Sequence, residues 1–169
     1  MFFEEHAKLL ADFARVSQAA GARADYVQSG GGNTSVKLPG GLMAIKASGF
    51  CLSDIHPDQA YAVLDGADLR NFYLTTEPSE LADVEKEGSA RAKADVRHID
   101  GLADLRPSVE AGFHSILKTF VVHTHSVYAN LAACSTACRP IAAQAFAGAN
   151  YTWGWVPYTD PGANLPFAI

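Results

Sequence analysis

Two short apolar runs, Thr34 to Leu38 and Leu42 to Ala47, flank Pro39-Gly40-Gly41, and this arrangement restricts the fold more than any other part of the chain. Strand-forming residues on either side of a Pro/Gly turn predict an antiparallel hairpin. A third strand is expected at Tyr61 to Leu64, ended by Asp65-Gly66, and another at Leu69 to Leu74. Ahead of the hairpin, Leu9, Leu10, Phe13, Val16 and Ala20 recur at helical spacing behind Glu4 and Glu5, with Gly21 as a stop. Residues 4–20 therefore predict an amphipathic helix. The intervening Gln28-Ser29-Gly30-Gly31-Gly32-Asn33 is too rich in glycine for a regular element.

Beyond the strands the pattern changes. Glu77-Pro78-Ser79-Glu80 opens a charged run to Arg97 with few large apolar residues, which predicts an exposed helix and loop across residues 77–106. Ser108 to Leu117 carries Val109, Phe113, Ile116 and Leu117 on one helical face, and Phe120 to His125 reads as a buried strand. Helix followed by strand points to mixed α/β layers. Ser126 to Cys138 reads as a small-residue helix broken by Pro140, Tyr151 to Tyr158 as strand-like and Asp160-Pro161-Gly162 as a turn. No C-terminal helix is expected at Leu165-Pro166-Phe167-Ala168-Ile169.

Composition bounds the function. The 169 residues are 49% hydrophobic and 18% charged, enough apolar material for one globular core. Thirteen basic residues against eighteen acidic ones give a net charge of -5 with no basic stripe, which excludes non-specific binding of nucleic acid. Met1 to His6 has no basic segment before an apolar stretch, and no window approaches the ~18 apolar residues of a membrane span. A soluble, cytoplasmic protein without membrane or nucleic-acid partners is the expectation. Cys51, Cys134 and Cys138 form an odd set without a C-x-x-C pair, and are read as small buried hydrophobes.

Three features carry chemistry. In Val121-Val122-His123-Thr124-His125 the two imidazoles stand at i and i+2, on one face of a strand, where they suit zinc or another borderline divalent ion. The bland alternative is a polar pair on a half-buried strand. Glu110 opens the helix leading into that strand, either as a favourable charge at its positive end or as an acid/base or extra ligand beside a metal. Finally, Gly30-Gly31-Gly32-Asn33-Thr34-Ser35 and Lys46-Ala47-Ser48-Gly49 present glycine amides with Asn, Ser and Lys donors that suit a single phosphate, unless they merely turn the chain. Neither matches a nucleotide-binding fingerprint.

Taken in order, Gly32-Asn33-Thr34-Ser35, Lys46-Ala47-Ser48-Gly49, Pro107-Ser108-Val109-Glu110 and His123-Thr124-His125 resemble the class II aldolase/adducin family over roughly residues 5–165. The Lys-x-Ser-Gly variant and the Trp155-Val156-Pro157-Tyr158 to Pro161-Gly162 stretch are most similar to the rhamnulose-phosphate aldolase domain fused to a short-chain dehydrogenase. The resemblance implies a three-layer α/β/α sandwich with a central, mostly antiparallel sheet, assembled as a homotetramer. It also implies a metal-dependent retro-aldol cleavage of a small sugar or sugar phosphate through a metal-stabilised enediolate. Asn33, Ser48, Gly49 and Ser108, with Gly32 and Lys46 from the same motifs, would then bind substrate or phosphate. Glu110 would be the acid/base, and His123 and His125 would hold Zn²⁺ or another divalent ion.

Two departures qualify this expectation. Ser108-Val109 stands where many relatives have Ser-Ser, which opens the way to a non-phosphorylated or differently placed substrate. The family's third zinc His, downstream of the His-x-His strand, has no counterpart after His125. His6, His56, His98 and His114 remain, and His114 follows Glu110 by one helical turn without a motif claim to the third position. Residues 1–169 thus read as a single domain lacking its C-terminal part, with an adducin-like silent binding module or a sugar-phosphate epimerase as the alternatives to a lyase.

Overall fold

The computed structural model describes residues 1–169, and the predicted hairpin is its centre. Strands β1 (Asn33–Lys37) and β2 (Leu42–Lys46) pair antiparallel, Val36 opposite Ala44. β3 (Tyr61–Asp65) continues the sheet from β2, the two-residue β4 (Val96–Arg97) adds to β3, and β5 (Phe120–His123) pairs with β1 at the other edge. The order is β4-β3-β2-β1-β5, antiparallel throughout. Period-two alternation sorts the central strands into two apolar faces: Val36, Ala44, Tyr61 and Val63 on one, Met43, Ile45 and Leu64 on the other. A sheet buried on both faces needs a helical layer on each.

The first layer is α1 (Phe2–Gly21), whose Leu10, Phe13 and Ala14 lie one turn apart in the core, while Ser17 Oγ meets Thr34 Oγ1 at 2.7 Å. The second layer is α2 (Gly66–Thr75), α3 (Val84–Ala94) and α4 (Ala111–Ile116), with Leu69, Tyr73 and Ala111 against Met43, Ile45 and Leu64. The result is the expected three-layer α/β/α sandwich. Beyond it lie α5 (Val127–Ala133), α6 (Cys138–Ala145) and an irregular run to a last turn, α7 (Leu165–Ala168). No helix is long and apolar enough to cross a membrane.

Several expectations are corrected. Leu69 to Leu74 is helix, not strand: Asp65 accepts the Asp68 amide at 3.0 Å as an N-cap, and Leu69 and Tyr73, four residues apart, bury one face while Leu74 is exposed. The charged helix starts at Asp83, whose carboxylate accepts from Lys86 N, and not at Glu77. β5 stops at His123 and is an edge strand in which only Val121 is buried, because no further strand covers it. Tyr151 to Tyr158 forms no strand: it pairs with neither free edge of the sheet, β4 or β5, and runs as an irregular segment. Pro140 sits in the first turn of α6, where its missing N–H breaks no bond, and the interruption falls at residues 134–137. The chain closes with the helical turn α7, held where Glu85 accepts the amides of Ala163 and Asn164 at 2.8 and 2.9 Å. Finally, Cys134 is exposed and Cys51 and Cys138 are half-buried, so none is a core residue.

Candidate active site

The site grows out of a match between helix and strand spacing. Asn33 and Ser35, at i and i+2 of β1, share the sheet face covered by α4 and stand about 6.8 Å apart along the strand. Glu110 and His114, at i and i+4, are separated by about 6 Å along the helix axis. The two pairs therefore meet rung for rung. Asn33 Nδ2 donates to Glu110 Oε2 at 3.3 Å, and His114 Nδ1 lies 2.8 Å from Ser35 Oγ. His123 stands directly opposite Asn33 in the β1–β5 ladder, and its Nδ1 reaches the same Glu110 Oε2 at 3.1 Å. Phe113 packs on both imidazoles, its ring centroid 4.5 Å from that of His114 and 5.5 Å from that of His123.

Electrostatics distinguish the three groups. Burial pushes the Glu110 carboxyl up, but the hydrogen bond and charge of His123, the Asn33 amide and His114 outweigh it and hold the group below its ordinary value. Both recorded bonds fall on Oε2, leaving Oε1 unengaged. His114 is completely buried, and burial drives it down to about 3, with Glu110 opposing and Lys37 and His123 adding to the shift. It is thus a neutral imidazole. Its Nδ1 is engaged by Ser35 Oγ, and its Nε2 meets no protein group; in the tautomer whose Nδ1–H donates to Ser35, Nε2 carries a free lone pair.

Ligand atoms of Glu110, His114 and His123 lie within 4.8 Å of one another. Two imidazoles, one of them with an orphaned buried nitrogen, and a carboxylate form a three-member donor set that fits a borderline divalent ion. His114 is the member that motif reasoning passed over, although its four-residue spacing from Glu110 was visible. His125 lies past the end of β5 and outside this cluster, exposed, yet its ring centroid is only 4.9 Å from that of His123.

The loop residues converge on the same region. Gly32 is at φ 73°, and a Cβ there would sit 2.9 Å from the carbonyl of His123, so a larger residue displaces β5. Lys46 does not project freely: its ammonium donates to the carbonyls of Phe50 at 2.7 Å and Gly30 at 3.3 Å and clasps the two glycine-bearing loops together. An antiparallel bridge between Ala47 and Pro107 joins the Lys46–Gly49 and Arg106–Ser108 segments and sets Ser48 opposite Arg106: the Ser48 amide donates to the Arg106 carbonyl at 2.9 Å, and Ser48 Oγ accepts from the Arg106 guanidinium at 2.9 Å. Ser108 Oγ accepts the Glu110 amide at 3.3 Å.

The neutral burial of His114 has a measurable result in the metal-stripped chain. Its folded value lies below the ordinary 6.5, so between the two the unfolded chain binds a proton that the folded chain does not. The associated stability is complete above about pH 6.5 and declines as pH falls toward 3, by at most about 1.4 kcal/mol per pH unit. Lowered Glu110 acts in the same sense at lower pH. Urea denaturation from about pH 7 to 5 checks this, and His114→Asn is expected to flatten the slope.

A profile of the class II aldolase and adducin N-terminal domain matches residues 11–166. The chain belongs to the class II aldolase/adducin family. Among solved structures of this fold, the N-terminal class II aldolase domain of a conserved protein from Thermoplasma acidophilum is similar at 21% identity and TM-score 0.75, over 92% of this chain and 70% of that one. YgbL of Klebsiella pneumoniae (18% identity, TM-score 0.52) and of Escherichia coli (19%, 0.51) are similar over 78% and 76% of this chain. Their own activity is described only as aldolase, epimerase or decarboxylase. This class II aldolase-like chain spans about half of their length, 50% and 49%. No protein of curated function matches it significantly in sequence.

Proposed function

We propose that this chain is a divalent-metal-dependent lyase of the aldolase type, acting in the cytoplasm on a small sugar or sugar phosphate. The dehydrogenase-fused rhamnulose-phosphate aldolases are the branch its motifs are most like. The observation that carries the reading is the convergence of Glu110, His114 and His123. His114, His123 and the neighbouring His125 would supply neutral nitrogen donors to Zn²⁺ or a similar ion. When bound, such an ion supplies Lewis-acid polarisation of the substrate's carbonyl and hydroxyl oxygens.

The chain's own residues do the rest. Asn33 and His123 hold Glu110 by Oε2, so Oε1 is the atom that takes a proton from the substrate and returns it. Ser48 and Gly49 on one segment and Ser108 on the segment bridged to it at Ala47–Pro107 would offer hydroxyl and amide donors to an anionic substrate group. Side chains of 14% and 27% exposure at Glu110 and His123 leave the centre open to a small molecule. Self-association into a homo-oligomer belongs to the same reading, supported by the exposed apolar side chains of Tyr128, Leu131, Tyr151 and Trp153.

Metal analysis after equilibration with zinc tests the centre: wild type is expected to retain about one ion per chain, and His123→Ala to bind it at least about tenfold more weakly. Negligible metal in both sinks the metal reading. Release of aldehyde from a panel of ketoses and ketose 1-phosphates, followed by NADH-coupled reduction, tests the lyase. A metal-loaded chain that cleaves none of them is not this lyase, and the epimerase or the silent binding module then stands in its place.

A further inference from the structure

A cavity of about 730 Å³ opens between α3, α4 and the segment 104–109; it borders the proposed anion site at Ser108, but none of Asn33, Glu110, His114 or His123 lines it. Its floor is Tyr73, which is only 6% exposed. Glycines on two helices make room for that ring: a Cβ at Gly88 would lie 2.7 Å from the Tyr73 hydroxyl oxygen, and one at Gly112 would lie 2.7 Å from the ring itself. The hydroxyl borders the cavity beside Gly88 and bonds no group of the protein, which leaves it free to donate to a ligand there. Burial pushes the phenol up to about 12, so it stays a proton donor at every physiological pH.

The rim has the opposite character. Lys93 and Arg106 both line the cavity, and neither is paired with a carboxylate; the Arg106 guanidinium has only Ser48 Oγ, at 2.9 Å. Asp104, also on the rim, is matched by His98 Nδ1 at 2.8 Å. The space thus offers a cationic mouth, apolar walls and one unused donor at its buried end. Its volume is that of a small-molecule site.

We propose that this cavity binds a small hydroxy-substituted organic acid, with the carboxylate at Lys93 and Arg106 and the distal oxygen accepting from the Tyr73 hydroxyl. A ligand there also touches Ser108, whose Oγ accepts the Glu110 amide, so occupancy bears on the segment that positions the carboxylate. The proposal depends on no part of the lyase reading, because binding is measured without metal and without turnover.

Calorimetric titration of the metal-free chain with 4-hydroxybenzoate, benzoate and benzyl alcohol provides the test. The expected order of affinity is 4-hydroxybenzoate, then benzoate, then the uncharged alcohol. Ser89→Trp, an exposed position whose indole would fill the cavity, is expected to weaken both acids by roughly tenfold or more, as is Lys93→Met combined with Arg106→Met. Tyr73→Phe is expected to weaken 4-hydroxybenzoate roughly fivefold or more and leave benzoate unchanged. Circular dichroism and unfolding midpoints matching wild type verify that each variant is folded. Absence of saturable binding by wild type, undiminished binding by Ser89→Trp, or equal weakening of both acids by Tyr73→Phe overturns the proposal.

Discussion

Glu110→Gln is expected to leave a folded chain whose turnover on its sugar substrate falls by about 10²- to 10⁴-fold, the usual contribution of a positioned proton carrier. The substitution preserves shape, and the amide oxygen can still accept from Asn33 and His123 in place of Oε2. What it removes is the titrating oxygen at Oε1. The loss should therefore appear in kcat with KM little changed, and steady-state kinetics on the best substrate of the ketose panel would show it. Undiminished turnover in this variant would refute the proton-carrier role, and a parallel collapse of the unfolding midpoint would show that the effect is structural.

The largest expected effect on stability lies on the opposite face of the sheet. Phe13 is 1% exposed in α1 and meets Tyr61 edge-on at 5.7 Å, in the larger of the two cores. Phe13→Ala removes an aromatic ring from a site walled by the sheet, where the surroundings collapse only partly, and is expected to cost about 3–5 kcal/mol. A urea midpoint shift at constant m-value measures it. A cost below about 1 kcal/mol would mean that α1 is not the cover its burial indicates. Glu110, His114 and His123 belong to the other layer, so metal affinity measured well below the lowered midpoint should be unchanged.

Local signals explain how much of this architecture was legible. The hairpin is carried by Pro39-Gly40-Gly41 and α1 by its apolar spacing, both contained within a few residues. Leu69 to Leu74 misleads because the same Asp65-Gly66 pair suits a turn or a helix cap, and only the joint burial of Leu69 and Tyr73 decides for helix. Tyr151 to Tyr158 has the composition of a strand, yet a strand exists only where an edge receives it, and that information lies elsewhere in the chain. In the site, Glu110, His123 and Asn33 could be picked out by residue type and motif. His114 could not be placed by motif. Its role depends on the alignment of α4 over β1, a property of packing between segments 79 residues apart.

β5 is an edge strand, paired in the sheet with β1 alone. Edges are where a native protein opens first, at a free energy well below that of global unfolding. An ion shared between His123 at the end of that strand and His114 inside the second layer would act as a cross-link over the opening, tying the least protected strand to the best protected imidazole. Loading the centre would then protect the amides of β5 from exchange before it changed anything in the hairpin, and chemistry and local cohesion would rise and fall together.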